Sequence, residues 1–461
     1  MSPLWTADDL IAATNGSMQH RFAAHGLSID TRTLVAGDLF VALRGEHRDG
    51  HRFVADAYAR GAAGALVDRA VEGLSADAPL LAAADTLAAL LGLGAFARAR
   101  FTGKAVAVTG SVGKTTTKEM LRAILAAEGE THAAKASHNN HWGVPLTLAG
   151  LPPRARFCVC EIGMNHAGEI APLARLARPH LAVITSIERA HVGYLGSIEA
   201  IADEKASIAR GLEPGGTLVL PADSDLLGRL RCAAAGTAAG IVTFGSSEAA
   251  DVRLLDAAES AGGSEVAVQI AGRTIRFRLP APGRHMAMNA TAALAAQYAL
   301  GADPARGARA LERFSPLAGR GSSRVLSLAG GPLILLDESY NANAASVRAA
   351  LAVLRLQPAR RRIAVLGDML ELGDAALSEH VSLAPDIIRT ADALFACGSS
   401  MRRLFDTLPD RLRAAHAPDA ASLAPIVVDA ARPGDAILVK GSLGSRMQLV
   451  VDALQSLAER G

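Results

Sequence analysis

The chain has 461 residues, enough at about 150 residues per domain for three domains with cores of their own, which excludes a single small binding module. Lys and Arg number 47 against 45 Asp and Glu, so the net charge of +2 supplies no broad field for a polyanion, and nucleic acid is not expected as a partner. Hydrophobic residues reach 50%, yet the most apolar window, residues 286–300, contains Asn289, Thr291 and Gln297. It reads as a partly buried helix of a soluble protein, and no membrane insertion is expected.

Asp8 and Asp9 stand where an export signal would carry positive charge, and four cysteines are too few and too scattered to staple a chain of this length. A cytoplasmic location is expected. In the first hundred residues a strand-like run at 38–43 and helical patterns at 53–60 and 87–98 predict a small α/β domain. Short apolar runs then recur at 105–109, 157–160, 181–186, 217–220, 333–336, 363–366, 393–397 and 436–439. A turn and a helical stretch follow each, which predicts parallel sheets covered on both faces. Pro316, Gly319, Gly321 and paired serines break the pattern between 311 and 324. The expected architecture is α/β with three domains, 1–100, 101–314 and 315–461. Cys158 and Cys160 alternate within one strand, where buried thiols on a common face are expected rather than a metal site.

The most informative stretch is Val106-Ala-Val-Thr-Gly110-Ser-Val-Gly113-Lys114-Thr115-Thr116. A buried strand runs into a loop where Gly110 and Gly113 let backbone N–H groups converge on phosphate oxygens. A helix then starts with its positive dipole end toward the anion. In such a loop Lys114 reaches the β/γ-phosphates and the Thr115 hydroxyl holds Mg²⁺. Only two residues separate the glycines, where the common P-loop has four, which points to a particular subset of nucleotide enzymes. The run at 157–160 ends on Glu161, and a carboxylate at the C-terminal end of a neighbouring parallel strand is a natural Mg²⁺ ligand. His191, after the run at 181–186, is either a second ligand, an orienting donor or an ordinary loop residue.

Taken together these segments resemble the ATP-dependent Mur ligases of peptidoglycan precursor synthesis over almost the full length. Thr109-Gly-Ser-Val-Gly-Lys-Thr-Thr116 resembles the family's ATP loop and Glu161-Ile-Gly-Met-Asn-His166 its Mg²⁺ segment. Thr185-Ser-Ile-Glu-Arg-Ala-His191 with Lys205 resembles the block that follows. The resemblance implies ATP contacts from Gly110, Ser111, Val112, Gly113, Lys114, Thr115 and Thr116, with Asn289, Arg320, Asp337 and Asn341 completing them. It implies metal ligation by Thr115 and Glu161, and by Lys205 if that lysine is carbamylated; an unmodified Lys205 on a solvated helix is the alternative. Lys114, His191 and Lys205 are the implied catalytic residues.

Within the family, three stretches resemble the branch that joins D-alanyl-D-alanine to UDP-N-acetylmuramoyl-tripeptide: Asn139-Asn140-His-Trp-Gly143-Val-Pro145, residues 337–343, and Leu366-Gly-Asp-Met-Leu-Glu-Leu-Gly373. The resemblance implies substrate contacts from Ser28, Asp30, Arg32, Asp49 and His51 to the UDP-sugar, from Asn139 and Asn140, and from Lys440 and Ser442 to the dipeptide. Apart from it, the asparagines at 341 and 343 read equally as caps or turns, and Asn289 as a helix-packing residue. The sequence departs from the branch at Ser137, where Asn is usual, and at Glu204, Glu338 and Ala344. The expected activity is an ATP-dependent ligation through an acyl phosphate, with ATP and Mg²⁺ as cofactors, two small-molecule substrates and a monomeric enzyme. The competing readings are a sibling ligase adding a single amino acid, a folylpolyglutamate synthetase, and an ATPase switch that makes no bond.

Overall fold

The computed structural model describes residues 2–46, 48–134, 137–190 and 192–459. Three sheets follow one another along the chain. In the first, the strands Gly26–Ser28, Asp38–Val41, Gly64–Val67 and Leu80–Ala82 run parallel, and Ser17–Met18 closes the far edge antiparallel to Leu80–Ala82.

The second sheet has nine strands. Its parallel part runs in the spatial order Gly240–Gly245, Thr217–Pro221, Leu181–Ile184, Lys104–Thr109, Phe157–Glu161 and Thr131–Ala133. Its central strands are buried on both faces from Ala105, Phe157 and Leu181 onward, as a sheet sandwiched between helices requires. Cys158 and Cys160 lie side by side in the core with their sulfurs 3.7 Å apart, as unpaired thiols. Residues 284–299 form a helix buried along Met286, Ala287 and Ala290–Gln297, so the apolar window is an internal helix. No helix among the described residues is long and apolar enough to cross a membrane.

The purely parallel expectation needs correction. Val252–Ser260, Gly263–Ile270 and Arg273–Leu279 form an antiparallel meander that extends the second sheet. Arg, Glu and Asp on its outer face alternate with buried Val252, Leu254, Val266, Val268, Ile270, Phe277 and Leu279. A strand buried on one face alternates in sequence, and so escapes a search for unbroken apolar runs. The third sheet likewise begins with an antiparallel hairpin, Ser322–Leu328 with Gly331–Glu338; its first strand starts within the stretch read as a break, and its second contains the expected run at 333–336. Its remaining strands, Asp435–Lys440, Arg361–Gly367, Ala393–Cys397 and Arg413–Ala417, are parallel.

The first unit is fixed to the second by the helix Thr86–Arg100, whose Gly94 faces Pro145 so closely that an added Cβ would lie 3.1 Å from the Pro145 carbonyl oxygen. Arg98 on that helix is buried and donates to the Ala177 carbonyl (2.7 Å) and the Arg178 carbonyl (2.6 Å), and it pairs with Glu213 (3.1 Å). The second and third units meet through Val192, which packs against the cores of both, and through Gly193, whose N–H donates to the Glu371 carbonyl (3.3 Å).

Candidate active site

Parallel strands deliver their C-terminal ends, and the loops that follow them, to one edge of each sheet. Here the edges of the second and third sheets face each other across a cleft of about 1070 Å³, which Glu46 of the first unit also reaches. Lys104–Thr109 leads into the glycine loop and then into the helix Lys114–Ala126. Gly110 and Gly113 both have positive φ, +147° and +81°. A Cβ at Gly110 would run into Thr185 Oγ1, and one at Gly113 into Asn289 Oδ1, so both positions exclude a side chain.

The loop rests on the next one along the edge. Ser111 N–H donates to the Ser186 carbonyl (2.9 Å), Val112 N–H to Ser186 Oγ (3.0 Å), and Thr185 Oγ1 to the Val112 carbonyl (2.5 Å). Ser111 Oγ donates to the Glu188 carbonyl and accepts from Glu188 N–H. The N–H groups of Ser111 and Val112 are therefore engaged, and those left for an anion are in the first turn of the helix, where no intrahelical acceptor exists. Lys114 folds back over this turn, its Nζ donating to the Gly110 carbonyl (2.7 Å). Burial holds its ammonium below the usual lysine range, Glu161 opposes that shift, and the nearby Arg320 charge adds to it.

Thr115 and Glu161 meet as the strand ends suggest. Thr115 Oγ1 donates to Glu161 Oε2 (2.8 Å), and Asn139 Nδ2 donates to Glu161 Oε1 (2.8 Å). Among the described residues no group of three or more His, Cys, Asp or Glu could hold a metal ion. A hydroxyl beside one carboxylate fits a hard cation that keeps most of its shell as water and phosphate, which is the habit of Mg²⁺. His191, expected here as well, lies outside the described residues. Asn289 touches the loop from the buried helix, its Oδ1 accepting from Thr117 Oγ1 (3.4 Å), and lines the cleft with His285 one turn earlier.

Lys205 is 1% exposed, which removes the solvated-helix alternative. Burial holds its pKa well below the usual lysine range, the Lys114 charge adds to the effect and Glu204 opposes it. The unusual Glu204 has a structural use: its carboxylate accepts from Gly168 N–H (2.8 Å) and Ile170 N–H (2.9 Å). It thereby caps the helix Ile170–Ala177 and pins the segment after Glu161.

From the third unit, Arg320 lies over the Tyr340 ring (3.8 Å to the centroid) and donates to Ser137 Oγ (2.7 Å). Asp337 is buried and turned inward, accepting from Gly319 N–H (2.9 Å), Ser339 N–H (3.1 Å) and Ser339 Oγ (2.6 Å). It does not line the cleft; it fixes the backbone that carries Arg320. Asn341 lines the cleft, and its carbonyl accepts from Lys440 Nζ (2.9 Å), which also pairs with Glu338 (3.4 Å). Asn343 caps the helix Ala344–Arg355 through a reciprocal bond with Ser346, so there the cap reading holds. Ser442 accepts from Leu370 N–H (2.9 Å), tying two cleft loops together. Asn140 caps the helix Gly143–Ala149 by accepting from Trp142 N–H (3.1 Å) and Gly143 N–H (2.9 Å), and it still faces the cleft.

The expected sugar contacts are not brought into this cleft. Ser28 Oγ bonds within its own turn, Asp30 pairs with Arg32, and His51 lies between Asp49 (2.8 Å) and Asp68 (3.2 Å). The Arg32 guanidinium draws the Asp30 pKa down to about 2, while burial pushes the His51 imidazole below its usual range. Glu46 also lines the cleft without any signal in the sequence, whereas Glu188, Leu370 and Glu371 line it from within the family-like stretches 185–191 and 366–373, in which none of them had an assigned role. Burial raises the Glu188 pKa.

Three family models match in chain order: a Mur ligase family catalytic domain at residues 23–91, a Mur ligase middle domain at 108–297, and a Mur ligase glutamate ligase domain at 324–443. A UDP-N-acetylmuramoyl-tripeptide--D-alanyl-D-alanine ligase from Bacillus subtilis is 34% identical over 93% of this chain and 93% of its own. The chain belongs to the Mur ligase family. The Escherichia coli ligase of the same name is 36% identical over 82% of each chain. A crystal structure of MurF from Acinetobacter baumannii superposes with a TM-score of 0.83 at 32% identity, covering 98% of this chain and 99% of that one. As a Mur ligase the protein is an ATP-driven enzyme that forms a carbon–nitrogen bond, on the family's three-domain α/β fold. The switch reading, in which no bond is made, is thereby set aside.

Proposed function

We propose that this Mur ligase joins D-alanyl-D-alanine to the terminal carboxylate of UDP-N-acetylmuramoyl-tripeptide, converting ATP to ADP and phosphate, for peptidoglycan synthesis. The observation that carries this reading is the single cleft onto which the Lys114 loop, the Arg320–Tyr340 segment and the Lys440–Ser442 loop all open, in a chain so similar to ligases named for that reaction. The division of labour follows: residues 1–100 for the UDP-sugar, with Ser28, Asp30, Arg32, Asp49 and His51; 101–314 for ATP; 315–461 for the dipeptide, with Lys440 and Ser442.

A carboxylate does not condense with an amine at neutral pH, because it is anionic and has no adequate leaving group. Lys114 and the first turn of its helix draw the γ-phosphate into place while a carboxylate oxygen of the tripeptide attacks phosphorus and ADP leaves. Thr115 and Glu161 are the residues to hold Mg²⁺, which when bound neutralises phosphate charge. The dipeptide amine then attacks the acyl carbon, phosphate departs, and the nitrogen loses a proton. Arg320, braced on Tyr340 and on the Asp337 scaffold, lies where it can hold the phosphate through both steps, and closure of the third unit keeps water from the acyl phosphate. Phosphate release measured with each substrate omitted in turn tests the assignment. It should require both UDP-MurNAc-tripeptide and D-Ala-D-Ala; release that is independent of both would refute it.

A further inference from the structure

Ser137 lies half-buried in the loop between Thr131–Ala133 and Gly143–Ala149, and its hydroxyl touches two units at once. Its Oγ is 2.7 Å from Arg320 Nη2 of the third unit and 2.7 Å from Thr115 Oγ1 of the phosphate loop. The direction of each bond is fixed by chemistry. A guanidinium only donates, so Ser137 accepts from Arg320. A carboxylate only accepts, so the Thr115 proton is committed to Glu161 Oε2 at 2.8 Å. The one arrangement left has Ser137 donating to Thr115, which gives an unbroken run Arg320→Ser137→Thr115→Glu161. Among the described residues no other hydrogen bond joins Arg320 to the phosphate-loop side of the cleft.

We propose that Ser137 is a positioning residue: its hydroxyl straps the arginine of the third unit to the phosphate-loop threonine and so holds the two units in the relation that nucleotide binding needs. This goes beyond the ligase reading, since it does not depend on which acid and amine are joined. Arg320 itself is braced on Tyr340 within its own unit, so it keeps its place there when the strap is cut. What changes is how often that unit lies against the loop. Apparent affinity scales with the fraction of molecules in the competent arrangement.

The test uses the full chain. Cys232 is exposed while Cys158, Cys160 and Cys397 are buried, so one label on Cys232 and one on an Arg411→Cys substitution report the distance between the second and third units. In nucleotide-free protein, Ser137→Ala should lengthen and broaden that distance and raise the dissociation constant for ATP about tenfold, the scale of one hydrogen bond from a charged donor. Ser137→Thr, which keeps the hydroxyl, should restore both. An unchanged distance or an unchanged ATP constant in Ser137→Ala, or a Ser137→Thr variant that behaves like the alanine, would overturn the proposal.

Discussion

Lys114→Ala should lower kcat by about 10³-fold or more while leaving the affinity for UDP-MurNAc-tripeptide within about twofold. The ammonium folds back over the start of the helix Lys114–Ala126, where its Nζ donates to the Gly110 carbonyl. Its depressed pKa records the cost of burying a charge without an anionic partner in contact, a cost that a triphosphate would offset. Removing it takes away stabilisation that matters most as charge moves from the γ-phosphate toward ADP. The expected tripeptide contacts belong to other segments, which is why binding should survive. Turnover near the wild-type rate, followed by coupled ADP detection, would rule out the phosphate assignment of the loop.

Lys205→Ala should cost about 10²–10³-fold in turnover, and its response to bicarbonate should differ from that of the parent. The lysine is buried and its pKa is held well below the ordinary value, so a share of the amine is neutral and nucleophilic. A neutral amine adds to carbon dioxide through a new N–C bond and loses a proton, which replaces a buried cation with an anion near Lys114. That exchange relieves the repulsion between the two lysines. In buffer stripped of carbon dioxide the parent should slow and recover on adding bicarbonate, while the alanine variant should show no response. Isotope-labelled bicarbonate should give a carbamate signal in the parent alone. Full activity in Lys205→Ala would end this role.

Much of the site was legible because its chemistry is local in sequence. Gly110, Gly113 and Lys114 form one loop, and Glu161 ends a neighbouring strand whose burial is plain from Phe157-Cys-Val-Cys. The central strands were equally visible, since both faces are covered and the apolar runs are unbroken. The meander at 252–279 was not, because one face meets solvent and the runs are diluted by charge. Roles that depend on the approach of distant segments were also hidden. Asp337 reads as a ligand-facing acid and proves to be a scaffold for Gly319, while Ser137 reads as a departure and proves to touch both Thr115 and Arg320. Glu204 reads as an anomaly beside Lys205 until the helix it caps is in view.

In the proposed reaction ATP activates the tripeptide carboxylate by phosphorylating it before the dipeptide amine attacks. Tripeptide substrate labelled with oxygen-18 in both oxygens of the terminal carboxylate separates this from every route that leaves the carboxylate unphosphorylated. With D-Ala-D-Ala and ATP present, mass spectrometry should find one labelled oxygen in each released phosphate and one in the new amide carbonyl of the product. Phosphate free of label would contradict the account.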